Sequence, residues 1–343
     1  MSSQGRDGQD RPSSRPLPPS PLGELTVGLA RLAAILTAND LGLFEALGWG
    51  PCDEAALVRR LGALRAGVTA LLDVLGTASY VERAGSGWQN APVARAWLTS
   101  ESVADYRPGR AWGAEVWRLL AELPSTIRLG SPARTMYQLM SERPELGRTF
   151  ARYMRATAML EMSRIVDLVS LPAKARRLLD LGGSHGLYSV GFLRRYPSLT
   201  ATVADLPVAL VQAKETIRTE PEGGRLRLWA RDYLTEDLGT DWDVVLAFSL
   251  LHNHTVSDNR LLLAKVAQAL RPGGILVVQD FLRDGGPDAF HAAFSLLMFN
   301  QNGTRTYGSE EVALWLGEAR LHLLYRHELG AGPGSVLTAI RRD

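Results

Sequence analysis

Seven residues, Asp180-Leu181-Gly182-Gly183-Ser184-His185-Gly186, leave this chain few ways to fold. They follow Arg177-Leu178-Leu179 and precede Leu187-Tyr188-Ser189-Val190-Gly191-Phe192-Leu193, so the passage reads as strand, glycine turn and helix. Glycine lets the backbone approach a ligand closely. Asp205, which closes the next apolar strand Thr200-Ala201-Thr202-Val203-Ala204-Asp205, offers a carboxylate to a ribose diol. The combination predicts a nucleoside site. A dinucleotide fingerprint, G-x-G-x-x-G, would need a second glycine at Ser184 or His185, and no G-x-x-x-x-G-K-[ST] loop for a triphosphate occurs. A D-x-G-x-x-x-G turn suits a cofactor without a pyrophosphate, S-adenosylmethionine foremost. The plainer alternative is a tight turn in an ordinary α/β sheet.

From about Arg176 onward, strands and helices alternate. Strands are expected at 177–181, 200–205, 226–230, 243–249, 275–280, 321–327 and 335–341. Helices are expected at 187–196, 207–219, 257–270, 288–300 and 309–319. Such alternation implies a mostly parallel α/β sheet with helices on both faces. Before it, from Leu22 to about Ala173, apolar residues recur at helical spacing, as in the stripe Leu25, Leu29, Leu32, Ile35 and Leu36. Within that region Glu54 to Leu61, Val68 to Leu75, Tyr80 to Arg83 and Gly85 to Gln89 outline a winged helix. A DNA-binding reading is weakened because its second helix, Arg65 to Leu75, carries Arg65 as its only cation. A scaffold for dimerisation is the better reading. The chain thus divides into a polar, Pro/Ser-rich arm over 1–21, expected to be disordered, a helical region over 22–173 and a sheet domain over 174–343. The net charge of +2 over 343 residues points to neither nucleic acid nor an anionic membrane. A single cysteine, Cys52, fits a reducing cytoplasm. No apolar run reaches the roughly 18 residues of a membrane span, and no signal-peptide core is present.

In an open α/β sheet, ligands lie beyond the carboxyl ends of the strands. That places the glycine loop, Asp205, the Arg231-Asp232-Tyr233 segment and Ser249-Leu250-Leu251-His252-Asn253-His254 around one crevice. Asp205 reads as the ribose acid rather than the helix N-cap before Pro207. Asp232 could accept from an adenine amine. His252, His254 and Asp258 could be metal ligands, but no clear fourth ligand accompanies them, so no metal is expected. His252 is the candidate general base: a neutral imidazole above the cofactor can take a phenolic proton as the oxygen attacks.

These motifs together resemble the S-adenosylmethionine-dependent small-molecule O-methyltransferases of the caffeate and bacterial polyketide type, from about Leu22 to Arg341. The resemblance implies a class I, Rossmann-like methyltransferase domain preceded by a mainly helical winged-helix dimerisation domain, and hence a homodimer. It assigns the cofactor to Asp180, Gly182, Gly183, Gly186, Asp205, Leu206, Asp232, Tyr233, Ser249 and Met154, with Ser184 in place of the family's middle glycine. Its catalytic histidine falls on His252, with Asn253-His254 replacing the usual Asp-Trp. Of the two acids that orient this histidine in plant members, the first aligns on Gln279, beside Asp280, and the second near Arg305-Thr306. Asp280 is therefore the substitute orienter. The resemblance places the acceptor between the domains, where Trp112, Trp117, Met154, Met159, Phe294, Met298, Phe299 and Asn300 offer Met and aromatic faces to a flat molecule. Trp112, Met154, Met298, Phe299 and Asn300 are the acceptor candidates, Asn300 as a hydrogen-bonding group. The expected reaction is methylation of a phenolic or enolic hydroxyl of an aromatic or polyketide-like product of antibiotic biosynthesis. Two rivals remain: hydroxylation or decarboxylation on the same scaffold, and a DNA-binding regulator.

Overall fold

The computed structural model describes residues 21–100, 107–284, 288–330 and 334–342; of the arm expected over 1–21, all but Pro21 lies outside them. A two-stranded hairpin comprises β1 (Val81–Ala84) and β2 (Gly87–Asn90). The main sheet takes β3 (Arg177–Leu181), β4 (Thr200–Asp205), β5 (Leu226–Ala230), β6 (Trp242–Phe248), β7 (Leu270–Asp280), β8 (Leu321–Glu328) and β9 (Ser335–Arg341). Its order is β5-β4-β3-β6-β7-β9-β8, parallel from β5 to β7, with β9 antiparallel to both neighbours. The expected strands are all present. β7 starts earlier than expected because Leu270 already pairs with Trp242, ahead of a register shift in β6.

Strand side chains alternate between two cores, which is why the strands read as continuous apolar runs. Leu178, Val244, Leu246, Ile275 and Val277 enter one core with Val190, Phe192 and Leu193 of the Leu187–Arg195 helix. Leu179, Leu181, Val245 and Leu276 enter the other with Leu262, Leu263, Val266, Trp315 and Leu316. The sheet is covered on both faces. The strand order reverses at β3, whose neighbours β4 and β6 lead away in opposite directions, and ligand crevices open at such a point.

The N-terminal helices gather around Phe44, Leu57, Val68, Leu72, Leu75 and Trp88. The Glu54–Leu61 and Arg65–Thr77 helices and the β1–β2 hairpin form the winged-helix outline, and Cys52 bridges to Trp88 as a third edge. Gly87 permits this: a Cβ there would meet the Cys52 carbonyl oxygen at 2.6 Å. The long Pro144–Leu168 helix joins the two regions. It packs on the Arg107–Leu120 helix and sends Ala158, Ile165 and Val166 into the core under the sheet. No helix among the described residues is long and apolar enough to cross a membrane.

Candidate active site

The loop after β3 turns through Gly182 and ends at Gly186, whose φ of +72° starts the Leu187–Arg195 helix in a conformation open to glycine. Gly183 is required for a different reason. A Cβ there would stand 2.5 Å from the carboxyl carbon of buried Asp180. Ser184, in the family's glycine position, adopts φ +40° and donates its N–H to Asp205 Oδ2 at 3.0 Å. Asp205 Oδ1 accepts from Leu206 N–H at 2.7 Å, so this carboxylate ties two loops together and caps no helix. Burial pushes Asp205 up to about 6, against the pull of those two N–H groups. Burial likewise pushes Asp180 up to about 7, although Ser189 donates to it at 2.7 Å. His185 is buried and driven down to about 3 by burial and by Arg155, so it is neutral, and its Nδ1 accepts from Leu187 N–H at 3.1 Å.

This loop lines a cavity of about 390 Å³. Asp180, Gly182, Gly183, Asp205, Leu206, Tyr233, Ser249, Leu250 and Asn253 come from the strand ends, and Tyr137, Met140, Ser141, Phe150 and Met154 close it from the helical side. Of the cofactor residues read from sequence, all but Gly186 and Asp232 line it. Gly186 shapes the loop. Asp232 lies beside Tyr233 and closes its own turn, accepting from Leu234 N–H at 2.9 Å.

Beyond Asn253 the ring of His252 is buried, 6% exposed. Its Nδ1 lies 2.7 Å from Asp280 Oδ1. Asp280 also accepts three backbone N–H groups, those of Leu251 at 2.9 Å, His252 at 3.3 Å and Phe281 at 2.7 Å. Burial alone would raise this carboxyl; the imidazole and the donated N–H groups bring it below its ordinary value. A carboxylate that accepts only N–H groups fixes the histidine proton on Nδ1 and leaves Nε2 as the lone pair. Asn253 Nδ2 approaches Nε2 at 3.2 Å, and Thr304 Oγ1 donates to the His252 carbonyl at 2.7 Å. Gln279, the aligned counterpart of the plant acid, instead accepts from Ser249 Oγ at 3.1 Å. Arg305 is paired with Glu311 and Thr306 with Ser295. His254 hydrogen-bonds Tyr233, and Asp258 caps its own helix, so the trio weighed as metal ligands has three separate sets of partners.

The acceptor candidates divide. Met154 lines the cavity and Phe294 stands 5.2 Å from the His252 ring. Met298 is buried on the same helix face. Trp112 is buried in a separate cluster and packs on Phe150 at 4.6 Å. Phe299 is half-buried, while Trp117 and Met159 are 43% and 46% exposed. Asn300 has its Nδ2 bonded to the Leu119 carbonyl at 2.9 Å, on the opposite side of the Ala289–Asn302 helix from Met298. Two residues further on, the helix turns Asn302 toward Asn253, and its Nδ2 reaches Asn253 Oδ1 at 3.2 Å. The helical pattern carried part of the signal, because Gln301 and Asn302 fall on the side of Phe294 and Met298 whereas Asn300 does not.

The family model for the O-methyltransferase domain matches residues 124–319, and that for the O-methyltransferase dimerisation domain matches residues 24–100. The 3-hydroxy-5-methyl-1-naphthoate 3-O-methyltransferase of Streptomyces sahachiroi is 29% identical over 314 residues, spanning 88% of this chain and 89% of that protein. The N,N-dimethyltransferase OxyT of Streptomyces rimosus is 30% identical over 78% of this chain and 80% of its own. The solved structure of human N-acetylserotonin methyltransferase in complex with SAM superposes with a TM-score of 0.83 at 20% identity, covering 94% of this chain and 97% of that one.

Proposed function

The chain belongs to the S-adenosylmethionine-dependent O-methyltransferases, and we propose that it methylates a phenolic or enolic hydroxyl of an aromatic, polyketide-like natural product with His252 as general base. The observation that carries this reading is the 2.7 Å contact between His252 Nδ1 and Asp280, which leaves the lone pair on Nε2, where a substrate hydroxyl would replace the Asn253 amide that now stands at 3.2 Å. The site suits the cofactor on its own features. Gly182 and Gly183 present bare backbone to the cavity, Asp205 offers two oxygens to a ribose diol, and Tyr233 and Leu250 give apolar walls. Asp232, at the rim, is assigned to the adenine amine.

S-adenosylmethionine supplies an electrophilic methyl sulfonium when bound. The demand on His252 is then modest, since it has only to remove the hydroxyl proton at Nε2 while the oxygen is held in line. Asp280 keeps the tautomer, and Met154 and Phe294 confine the acceptor. The S. sahachiroi relative is named for a hydroxynaphthoate, which supports a flat aromatic acceptor. Both curated relatives are named as methyltransferases, and the hydroxylating or decarboxylating alternative draws no support from them.

We also assign a homodimer to the N-terminal region. In the single chain, Leu22, Leu25 and Leu29 of the first helix are 70%, 58% and 54% exposed, an apolar face that a second copy would cover. Light scattering at the mass of one chain would remove that assignment. A cytosolic setting suits Cys52, which is free and buried.

The test is mass spectrometry of purified protein with S-adenosylmethionine and a panel of phenols and primary aromatic amines, beside His252→Ala. Methylated phenol, slowed about 10²-fold or more in the variant, is the expected result. Methylation confined to the amines would move the acceptor atom to nitrogen, as the name of OxyT suggests. Undiminished phenol methylation in the variant would remove His252 as base.

A further inference from the structure

Asp288 caps the Ala289–Asn302 helix by accepting the His291 N–H at 2.9 Å, which is all a cap requires. Its other oxygen stands 2.6 Å from His291 Nδ1. The imidazole proton is thereby held on Nδ1, and Nε2 is left as an acceptor. That nitrogen is buried and, among the described residues, has no hydrogen-bond partner, in a side chain that is 7% exposed. Leaving a buried acceptor unpaired forfeits its hydration with nothing in return, so the position calls for a donor.

The helix phase indicates where the donor comes from. At about 100° per residue, His291 lies between Phe294 and Asn302 on the helix surface. Both neighbours reach the base: the Phe294 ring is 5.2 Å from that of His252, and Asn302 bonds Asn253. His291 sits one turn before Phe294, about 4.5 Å along the axis. An aromatic wall joins the two imidazoles. Phe281 and Phe294 are 4.8 Å apart, Phe294 and Phe290 stack at 5.6 Å and 15°, and Phe290 is 5.6 Å from His291. Each end of this wall therefore carries a histidine whose Nδ1 is committed to an aspartate and whose Nε2 is an acceptor.

We propose that His291, oriented by Asp288, is a second anchor for the acceptor, taking a hydrogen bond from a hydroxyl remote from the one that is methylated. The acceptor class is then a fused-ring aromatic with hydroxyls on opposite rings. This rests on the phenolic reading above and narrows it. His291 is a specificity residue, and the base remains His252.

The test is calorimetric binding to protein loaded with S-adenosylhomocysteine, so that methyl transfer does not enter the readout. The probes are naphthalenediols with hydroxyls on opposite rings and the matching mono-naphthols. The wild type binds a diol about tenfold more tightly than its mono-ol, the worth of one hydrogen bond. His291→Leu brings the diol down to the mono-ol while mono-ol affinity holds. Asp288→Asn, which keeps the cap but not the fixed tautomer, lowers the preference as well. An equal preference in wild type and His291→Leu overturns the anchor, as does its absence from the wild type while mono-ols bind. If the wild type binds neither probe class, the phenolic reading falls and the anchor with it.

Discussion

The crevice assigned to the cofactor and the wall proposed for the acceptor meet at Asn253 but are built from different parts of the backbone. The crevice is made at strand ends. β3, β4, β5 and β6 run parallel in fixed register, so whatever follows Leu181, Asp205, Ala230 and Phe248 emerges at one edge of the sheet. The wall is made on one face of the Ala289–Asn302 helix, where a shift of one residue rotates a side chain by about 100°. A strand end delivers its loop wherever the side chains point, whereas a helix delivers a residue only in phase. Backbone groups and buried carboxylates dominate the crevice; imidazoles and phenylalanines dominate the wall. Substitutions on the two sides should therefore separate into effects on cofactor binding and effects on the acceptor and its proton.

The largest expected effect joins the two sides at Asp280. Its two oxygens accept four N–H groups, three from the backbone and one from His252 Nδ1. Asp280→Asn must place an NH₂ against some of these donors. If it faces Nδ1, it drives the histidine proton to Nε2 and removes the base; if it faces the backbone, it loosens the turn that carries His252. The expected result is a fall in kcat of about 10²-fold or more with cofactor affinity held within a few fold. A kcat near wild type would show that alignment alone supplies the rate. A parallel loss of cofactor affinity would break the separation of crevice from wall.

The same contrast explains what was legible in the sequence. Asp180 to Gly186 and Asp205 could be read because strand periodicity, a glycine turn and a closing acid are local patterns, and the parallel sheet does the rest. The winged-helix outline was legible for the same reason. Asp280 could be named beside His252 only through the family resemblance, whose first acid aligns on the adjacent Gln279; the structure supplies the reason, since β6 and β7 are neighbours, with Phe248 paired to Gln279. Asn302 was passed over because composition picks out an amide without its phase, and helix phase sends Asn300 to Leu119 and Asn302 to Asn253. Tyr137, Met140 and Ser141 were missed for a third reason: their Met136–Glu142 helix is far from the glycine loop in sequence and reaches the cavity only through tertiary packing.

A middle-sized effect belongs to the crevice alone. In its proposed role Asp205 has to be ionised to accept both hydroxyls of a ribose, and burial has raised it to about 6. The cofactor dissociation constant is expected to be flat above about pH 7 and to rise roughly tenfold per unit well below 6. The sign for stability is opposite. A folded value above the unfolded one means the ligand-free chain holds more protons than its unfolded state, so this contribution to stability is lost as pH rises through about 6. Asp180, raised to about 7, acts in the same direction. Titration calorimetry and melting scans from pH 5 to 8 would read both. If acceptor affinity at saturating cofactor followed the same pH curve, the two regions would not be independent.

The smallest effect tests Ser184, which stands in the family's middle-glycine position in the crevice. Ser184 sits at φ +40°, where an L-residue is strained by about 1–2 kcal/mol. Ser184→Gly removes that strain but gives the unfolded chain more freedom, at a cost of roughly 0.5–1 kcal/mol. It also removes a hydroxyl that reaches the Ala209 carbonyl at 3.4 Å, a contact at the margin of a hydrogen bond. The balance is a stabilisation of at most about 1 kcal/mol, read as a small rise in urea midpoint at constant slope. Because the Ser184 N–H to Asp205 belongs to the backbone and survives the change, cofactor affinity should hold as well. A destabilised variant, or one that binds the cofactor tenfold more weakly, would mean the Ser184 hydroxyl contributes something the backbone cannot, and that the crevice too depends on side-chain detail.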